Sequence, residues 1–257
     1  MMAERVDIPW RWGQAFSPHE IARQLKALDG KQSAVQRAAA QDTTFEHYYS
    51  EAIIAREAPG PPRPGGAFER ACELSARYEF SDPRIVIGHF DPARPLLGRP
   101  LLLELRALGL RLLVGVRIEE VREQDDAAAD VSLFAWRYDT LPGHVEFGSE
   151  WFRVLQRHSS GEVSFQIEAR WRAGEFPNAW MRTGFGWVVH RYQRAWHRLA
   201  YVRLRRLLAS GPLPSLPSRR RILHSGLPAR VGRVGSESTA IAAELVEHSS
   251  QPTNEVS

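Results

Sequence analysis

Along "EVSFQIEARWRA" the apolar residues Val163, Phe165, Ile167, Ala169 and Trp171 alternate with Glu162, Ser164, Gln166, Glu168 and Arg170. A period of two is that of a strand with one side on a core and the other in water. The same alternation sets Leu112, Val114, Val116 and Ile118 against Leu113, Gly115, Arg117 and Glu119 in "LRLLVGVRIEEVRE". In "VSLFAWRYDT" Phe134, Trp136 and Tyr138 share a face with Ser132, but Leu133 and Ala135 give the other face bulk too, which suits a central strand. Shorter runs, "TFEHYYSEAIIAR", "RIVIGHF" and "LLLELRAL", add three more predicted strands.

Helical spacing appears in three places. In "SPHEIARQLKALDG", Ser17, Pro18 and Glu20 occupy N-cap, first-turn and capping-box positions, and Gly30 closes the helix. "KQSAVQRAAAQD" follows, polar and alanine-rich, as further helix or as linker. Phe68, Ala71, Cys72, Leu74 and Ser75 mark a second helix ending near Tyr78. From Gly186 to Leu208 the stripe Val188, Tyr192, Trp196, Leu199 and Arg203 predicts a helix of about six turns with arginines on its opposite flank. Helices followed by antiparallel strands and a long final helix make an α+β pattern, with a curved sheet wrapped on that helix. Residues 1–43 are then an N-terminal helical extension, 44–210 the main domain, and 211–257, rich in Pro, Ser and Gly, a mostly disordered tail.

The formal charge is only +4, yet residues 176–236 hold 12 arginines and no Asp or Glu. Basic segments of this kind serve as solvated faces or as footprints for nucleic acid or an acidic membrane surface. With only two lysines, Lys26 and Lys31, among 34 basic residues, the arginine bias also has a compositional source. No window is apolar enough to span a bilayer and no basic-then-apolar leader opens the chain, so a cytoplasmic location is expected. Cys72 is the only cysteine, which excludes internal disulfides and cysteine metal sites, and with no basic neighbour placed to activate it, it reads as a small buried hydrophobe.

Candidate chemistry gathers at "YDTLPGHVEFGSEWF". Pro142 and Gly143 suit the two central positions of a type II turn, with His144 just beyond it. Glu146, Gly148, Glu150 and Phe152 share one face of the strand that follows, so His144, Glu146 and Glu150 are the candidate acid/base groups. A strand pointing outward would present the same alternating polar residues. His190 and His197, seven apart, stand about 10 Å from each other along a helix, too far to share a metal. Phosphate loops, nucleophile elbows and zinc motifs are absent, "HSSGE" (158–162) reads as a hairpin loop with Gly161 left-handed, and neither cofactor nor metal is expected.

"FAWRYDTLPGHVEFGSEWFRVL", then a hairpin, "VSFQIEARWR" and "QRAWHRLAYVRLRRLL", with "GGAFERACELSARY" upstream, resembles a bacterial and plant family known as domain of unknown function nineteen-ninety. The resemblance runs from about Phe45 to Leu208, and TLPGH is its most specific part. It implies a START-like helix grip without implying an activity. The family's pattern has Gly-Glu-Glu where this chain has Gly148, Ser149 and Glu150, so one carboxylate is missing, and the usual tryptophan is replaced around "ARYEFSDP".

Three functional readings follow. One is a cavity between sheet and helix holding an apolar small molecule or lipid, lined by Phe134, Trp136, Tyr138, Trp151, Phe165, Trp171, Tyr192 and Trp196, residues that would equally serve as core. Another is an anion-binding adaptor using Arg191, Arg194, Arg198, Arg205 and Arg206 with Arg219–Arg221, although no aromatics interleave the tail arginines. The last is an enzyme with His144 as acid or base beside Glu146 or Glu150.

Overall fold

Alternation of apolar and polar residues pairs these segments into one antiparallel sheet, and the structure, a computed structural model, describes residues 8–39, 44–174, 176 and 179–210 of it and its helices. The expected tail, with Arg219–Arg221, lies outside the described residues. The strands are β1 (Trp10–Trp12), β2 (Glu46–Arg56), β3 (Val86–His89), β4 (Pro100–Ala107), β5 (Leu110–Asp126), β6 (Val131–Thr140), β7 (Glu146–Arg157) and β8 (Glu162–Ala173). The helices are α1 (Pro18–Lys26), α2 (Val35–Ala39), α3 (Ala67–Ala76) and α4 (Ala179–Ala209). The sheet runs β2-β8-β7-β6-β5-β4-β3, and β1 takes the edge of β5 at Leu110–Leu112, short of where β6 begins pairing at Val116.

The sheet curls, and its concave face holds the core. Leu103, Val114, Val116, Ile118, Phe134, Trp136, Phe152, Val154, Val163, Phe165 and Ile167 pack there against α3 and α4. This is the α+β helix grip that the pattern predicts. A dense knot of rings fills its middle: Phe80 lies 4.8 Å from Tyr78 and from Phe152 and 5.1 Å from Phe165, and Trp136 lies 4.4 Å from Phe152. Trp136 Nε1 donates to Ser75 Oγ at 2.9 Å, and Trp196 Nε1 to Ser81 Oγ at 2.9 Å, so the indole N–H groups keep partners inside the core. Cys72 is fully buried on α3.

Tyr78 follows the end of α3 with a φ of 60°, and its ring lies where a Cβ on Gly88 would stand, 2.6 Å from Cδ1. Gly88 therefore lets β3 pass close to the tyrosine. Helix α4 differs in detail from its predicted stripe. Its buried line is Trp196, Ala200, Leu204 and Leu208 with His197 and Tyr201 beside it, whereas Leu199 and Arg203 stand on the flank, and Arg203 bonds Glu79. A straight helix advances 100° per residue, so a step of three then four drifts off a stripe that repeats every four.

The convex face is also apolar where β4 and β5 meet. Phe16, Leu28, Leu102, Leu113 and Leu141 form a second small core, with Ile21 and Leu25 of α1 against it. Gly115 makes room for this, since a Cβ there would stand 2.5 Å from Leu28 Cδ2. The capping box holds α1 in shape: Ser17 Oγ accepts from Glu20 N at 3.3 Å, and the Glu20 carboxylate accepts from Ser17 N at 2.9 Å.

Candidate functional site

The corner after β6 is a type II turn. Gly143 has a φ of 88° and His144 N donates to Leu141 O at 3.2 Å across the turn. The turn delivers β7 with Glu146, Gly148, Glu150 and Phe152 toward the concave face. Between that face and α4 lies a cavity of about 370 Å³, whose wall includes His144, Glu146 and Glu150. Most of the rest is apolar, with Val86, Leu103, Leu105, Leu112 and Val145 prominent. The strand therefore does not point its carboxylates outward.

His144 is 6 % exposed. Its Nδ1 accepts from Glu146 N at 2.9 Å, which places the ring proton on Nε2. Nε2 itself is buried and has no partner among the described residues. Burial pushes the histidine down to about 4, so at neutral pH it is a neutral N–H donor. Glu146, whose Oε1 accepts from Gln193 Nε2 at 3.3 Å, is pushed up to about 7 by burial. Glu150 is pushed up to about 8 for the same reason, with the Glu146 charge adding to the shift. Near neutrality this end of the cavity presents proton-bearing groups rather than two fixed anions.

Glu150 anchors a line of polar groups through the core. Tyr138 donates its hydroxyl to Glu150 Oε2, and Glu150 Oε1 lies 3.9 Å from His197 Nε2. His197 Nδ1 meets Ser50 Oγ at 2.6 Å, and Ser50 Oγ meets Tyr201 OH at 2.5 Å. Burial pushes His197 down to about 4 as well. Spacing along α4 excluded His197 as a metal partner of His190, but spacing within one helix could not show that it faces Glu150 on β7. Ser50, Thr140 and Gln193 were missed too, since single polar residues in strands and helices carry no signal by themselves.

Of the eight aromatic candidates, Tyr138, Trp171, Tyr192 and Trp196 line the cavity. Trp136 and Phe165 are instead sealed in the ring cluster, and Phe134 is fully buried in the same core. Trp151 lies on the convex side, with the guanidinium carbons of Arg122, Arg153 and Arg137 at 4.8, 5.1 and 5.6 Å from its ring centre. The parity that puts Glu150 and Phe152 inside puts Trp151 outside. Ser149 alternates with Glu150 along β7, so its side chain takes the other face of the strand, although the residue still borders the cavity. Arg191, Arg194, Arg198, Arg205 and Arg206 are exposed on α4, and Arg205 Nε donates to Ile53 O at 2.9 Å.

Among the described residues no three His, Cys, Asp or Glu side chains are grouped to hold a metal ion, and no helix is long and apolar enough to cross a membrane. Residues 32–203 match the model of a family described as a domain of unknown function, DUF1990. The chain belongs to the DUF1990 family. The turn, the acid-bearing strand β7 and most of α4 all fall within the DUF1990 match, and α1 falls outside it. No curated protein matches the chain. Among solved structures, this DUF1990 chain is similar to the Zhui aromatase/cyclase of Streptomyces sp. R1128 at 16 % identity, with a TM-score of 0.39 over 66 % of this chain and 99 % of that one. It is similar to a norcoclaurine synthase point mutant of Thalictrum flavum at 7 % identity and a TM-score of 0.39, over 66 % and 97 %. Ara h 8.0201 is matched at 11 % identity and a TM-score of 0.39, over 65 % and 99 %.

Proposed function

We propose that the protein binds an apolar small molecule in the cavity between the sheet and α4 and holds a hydrogen-bond-accepting group of that molecule at the His144, Glu146 and Glu150 end. The observation that carries this reading is a mostly apolar cavity whose wall brings the buried carboxyls of Glu146 and Glu150 and the residue His144 together at one end. A buried carboxyl that keeps its proton donates to a ligand oxygen in front of it. The apolar wall then supplies affinity, and the polar end supplies orientation. Ligand cavities run from about 300 to 1,000 Å³, and a volume near the low end favours one small molecule or a single apolar chain over a two-chain lipid.

The test is a fluorescence titration with N-phenyl-1-naphthylamine, a neutral apolar dye that brightens on leaving water, alongside native mass spectrometry of freshly purified protein. Saturable one-to-one binding is expected, lost at least tenfold in Leu105→Trp, which fills the cavity from a half-buried wall position. Unsaturable binding, or binding indifferent to Leu105→Trp in a variant whose circular dichroism is unchanged, overturns the reading.

A further inference from the structure

The cavity does not end at its apolar wall. Ile85, Arg106, Ala107, Leu108, Leu110 and Tyr192 line it and also line a second, more open groove, so the two adjoin at the tip of the β4–β5 hairpin. At the junction Leu108 N donates to Tyr192 OH at 3.2 Å, which fastens the hairpin to α4, and Leu108 is 71 % exposed with a φ of 51°. Arg84, Arg106, Arg111 and Arg191 line the groove, and among the described residues lining it there is no carboxylate.

The acids that reach these arginines come from outside the groove. Asp82 takes Arg84 Nε at 3.0 Å and Nη2 at 2.7 Å. The nearly buried Glu104 is shared, with Arg106 Nε at 2.9 Å and Arg111 Nη1 at 2.6 Å on the same oxygen and His89 Nε2 at 3.3 Å on the other. Four guanidiniums against two carboxylates leave a surplus of two positive charges. The side chains of Arg106 and Arg111 are only 27 % and 22 % exposed, so their share of the surplus acts in a partly desolvated place where charges are felt more strongly than on an open surface, while Arg191 adds its charge from the exposed side of α4. At the far end of the cavity stand Glu146 and Glu150 on β7, three strands from β4, or roughly 14 Å at the usual strand spacing. The site is therefore polarised, with a cationic mouth, an apolar middle and an acid-bearing end.

Resting on the reading of the cavity as a ligand site, we infer that its ligand is an anionic amphiphile whose apolar body enters the cavity and whose acidic headgroup, a carboxylate or a phosphate, remains on Arg84, Arg106, Arg111 and Arg191. Arginine forks match both oxyanions in a bidentate way. Charge also fixes the orientation, because the surplus guanidiniums stand at the groove and, among the described residues, no arginine or lysine lies beside Glu146 and Glu150 in the cavity wall.

Displacement of bound N-phenyl-1-naphthylamine by dodecanoate, dodecyl phosphate and dodecanol at pH 7.5 tests this with three ligands sharing one chain. At low salt at least one of the two anions is expected to displace the dye at one tenth or less of the dodecanol concentration, and the margin is expected to shrink as salt rises. Whichever anion displaces better names the headgroup. Arg191→Glu, an exposed change on α4, takes the surplus from two to zero and is expected to abolish the margin while leaving dodecanol and the dye unaffected. Dodecanol displacing as well as both anions, or a margin that survives Arg191→Glu, overturns the inference and leaves the apolar cavity standing. Failure of the dye itself to bind counts against the cavity reading instead.

Discussion

Replacing Glu150 by Gln separates the charge of this carboxyl from its shape. Burial pushes Glu150 up to about 8 from an ordinary 4.5. Between those values the folded protein holds a proton that the unfolded chain has released. Stability therefore falls as pH rises, by about 1.4 kcal/mol per unit, until the folded group ionises. Between pH 6 and pH 9 this single group is expected to remove about 3 kcal/mol from the wild type, with the loss complete above about pH 8. Glutamine fills nearly the same space, its carbonyl can accept the Tyr138 hydroxyl, and it does not titrate. Urea unfolding of both proteins across this range should show Glu150→Gln gaining on the wild type by that amount, whatever constant offset the amide brings. Parallel stability curves would refute the placement of Glu150 in a desolvated cavity.

The histidines act with the opposite sign. His197 is pushed down to about 4 against 6.5, so the unfolded chain binds the extra proton between those values and the wild type gains stability as pH rises through them; His197→Gln should lack this gain of about 1.4 kcal/mol per unit when unfolding is followed from pH 4.5 to 6.5. Ser75→Ala leaves Trp136 Nε1 without its acceptor, and a loss of about 1–3 kcal/mol is expected in denaturant unfolding. In Gly148→Ala the new Cβ would stand 2.1 Å from Arg170 O, forcing β7 off β8, and a thermal melt should report a loss of at least about 1–3 kcal/mol.

Strand parity and helix caps were readable because each depends on near neighbours in the chain. The alternation in Glu162–Ala173, the capping box at Ser17 and Glu20, and the Pro142–Gly143 turn all have the form expected of them. Placing Trp151 in the pocket failed against the same rule, since a residue next to Glu150 in a strand must face away from it. Partners that meet across the fold were not legible. His197 and Ser50 are 147 positions apart, and only the docking of α4 beside β2 brings them to 2.6 Å. The charge of the cavity mouth was hidden for the same reason: the notable arginines of the sequence cluster on α4, whereas three of the four lining the groove come from the region of β3, β4 and β5. Core and pocket aromatics share one pattern, so which rings border open space depends on how closely Phe80 and Phe152 fill the middle.

The small core beneath α1 bears on where this domain can be cut. A fragment that starts at residue 32, where the family match begins, would lack Phe16, Ile21, Leu25 and Leu28. Leu102, Leu113 and Leu141 would then face water as a contiguous greasy strip on the back of the sheet, beside the notch at Gly115 that Leu28 had filled. Strips of this kind drive self-association. The stretch that sequence similarity marks out is thus shorter than the stretch that keeps the sheet soluble, and the helix preceding it works as a lid on the sheet's reverse side.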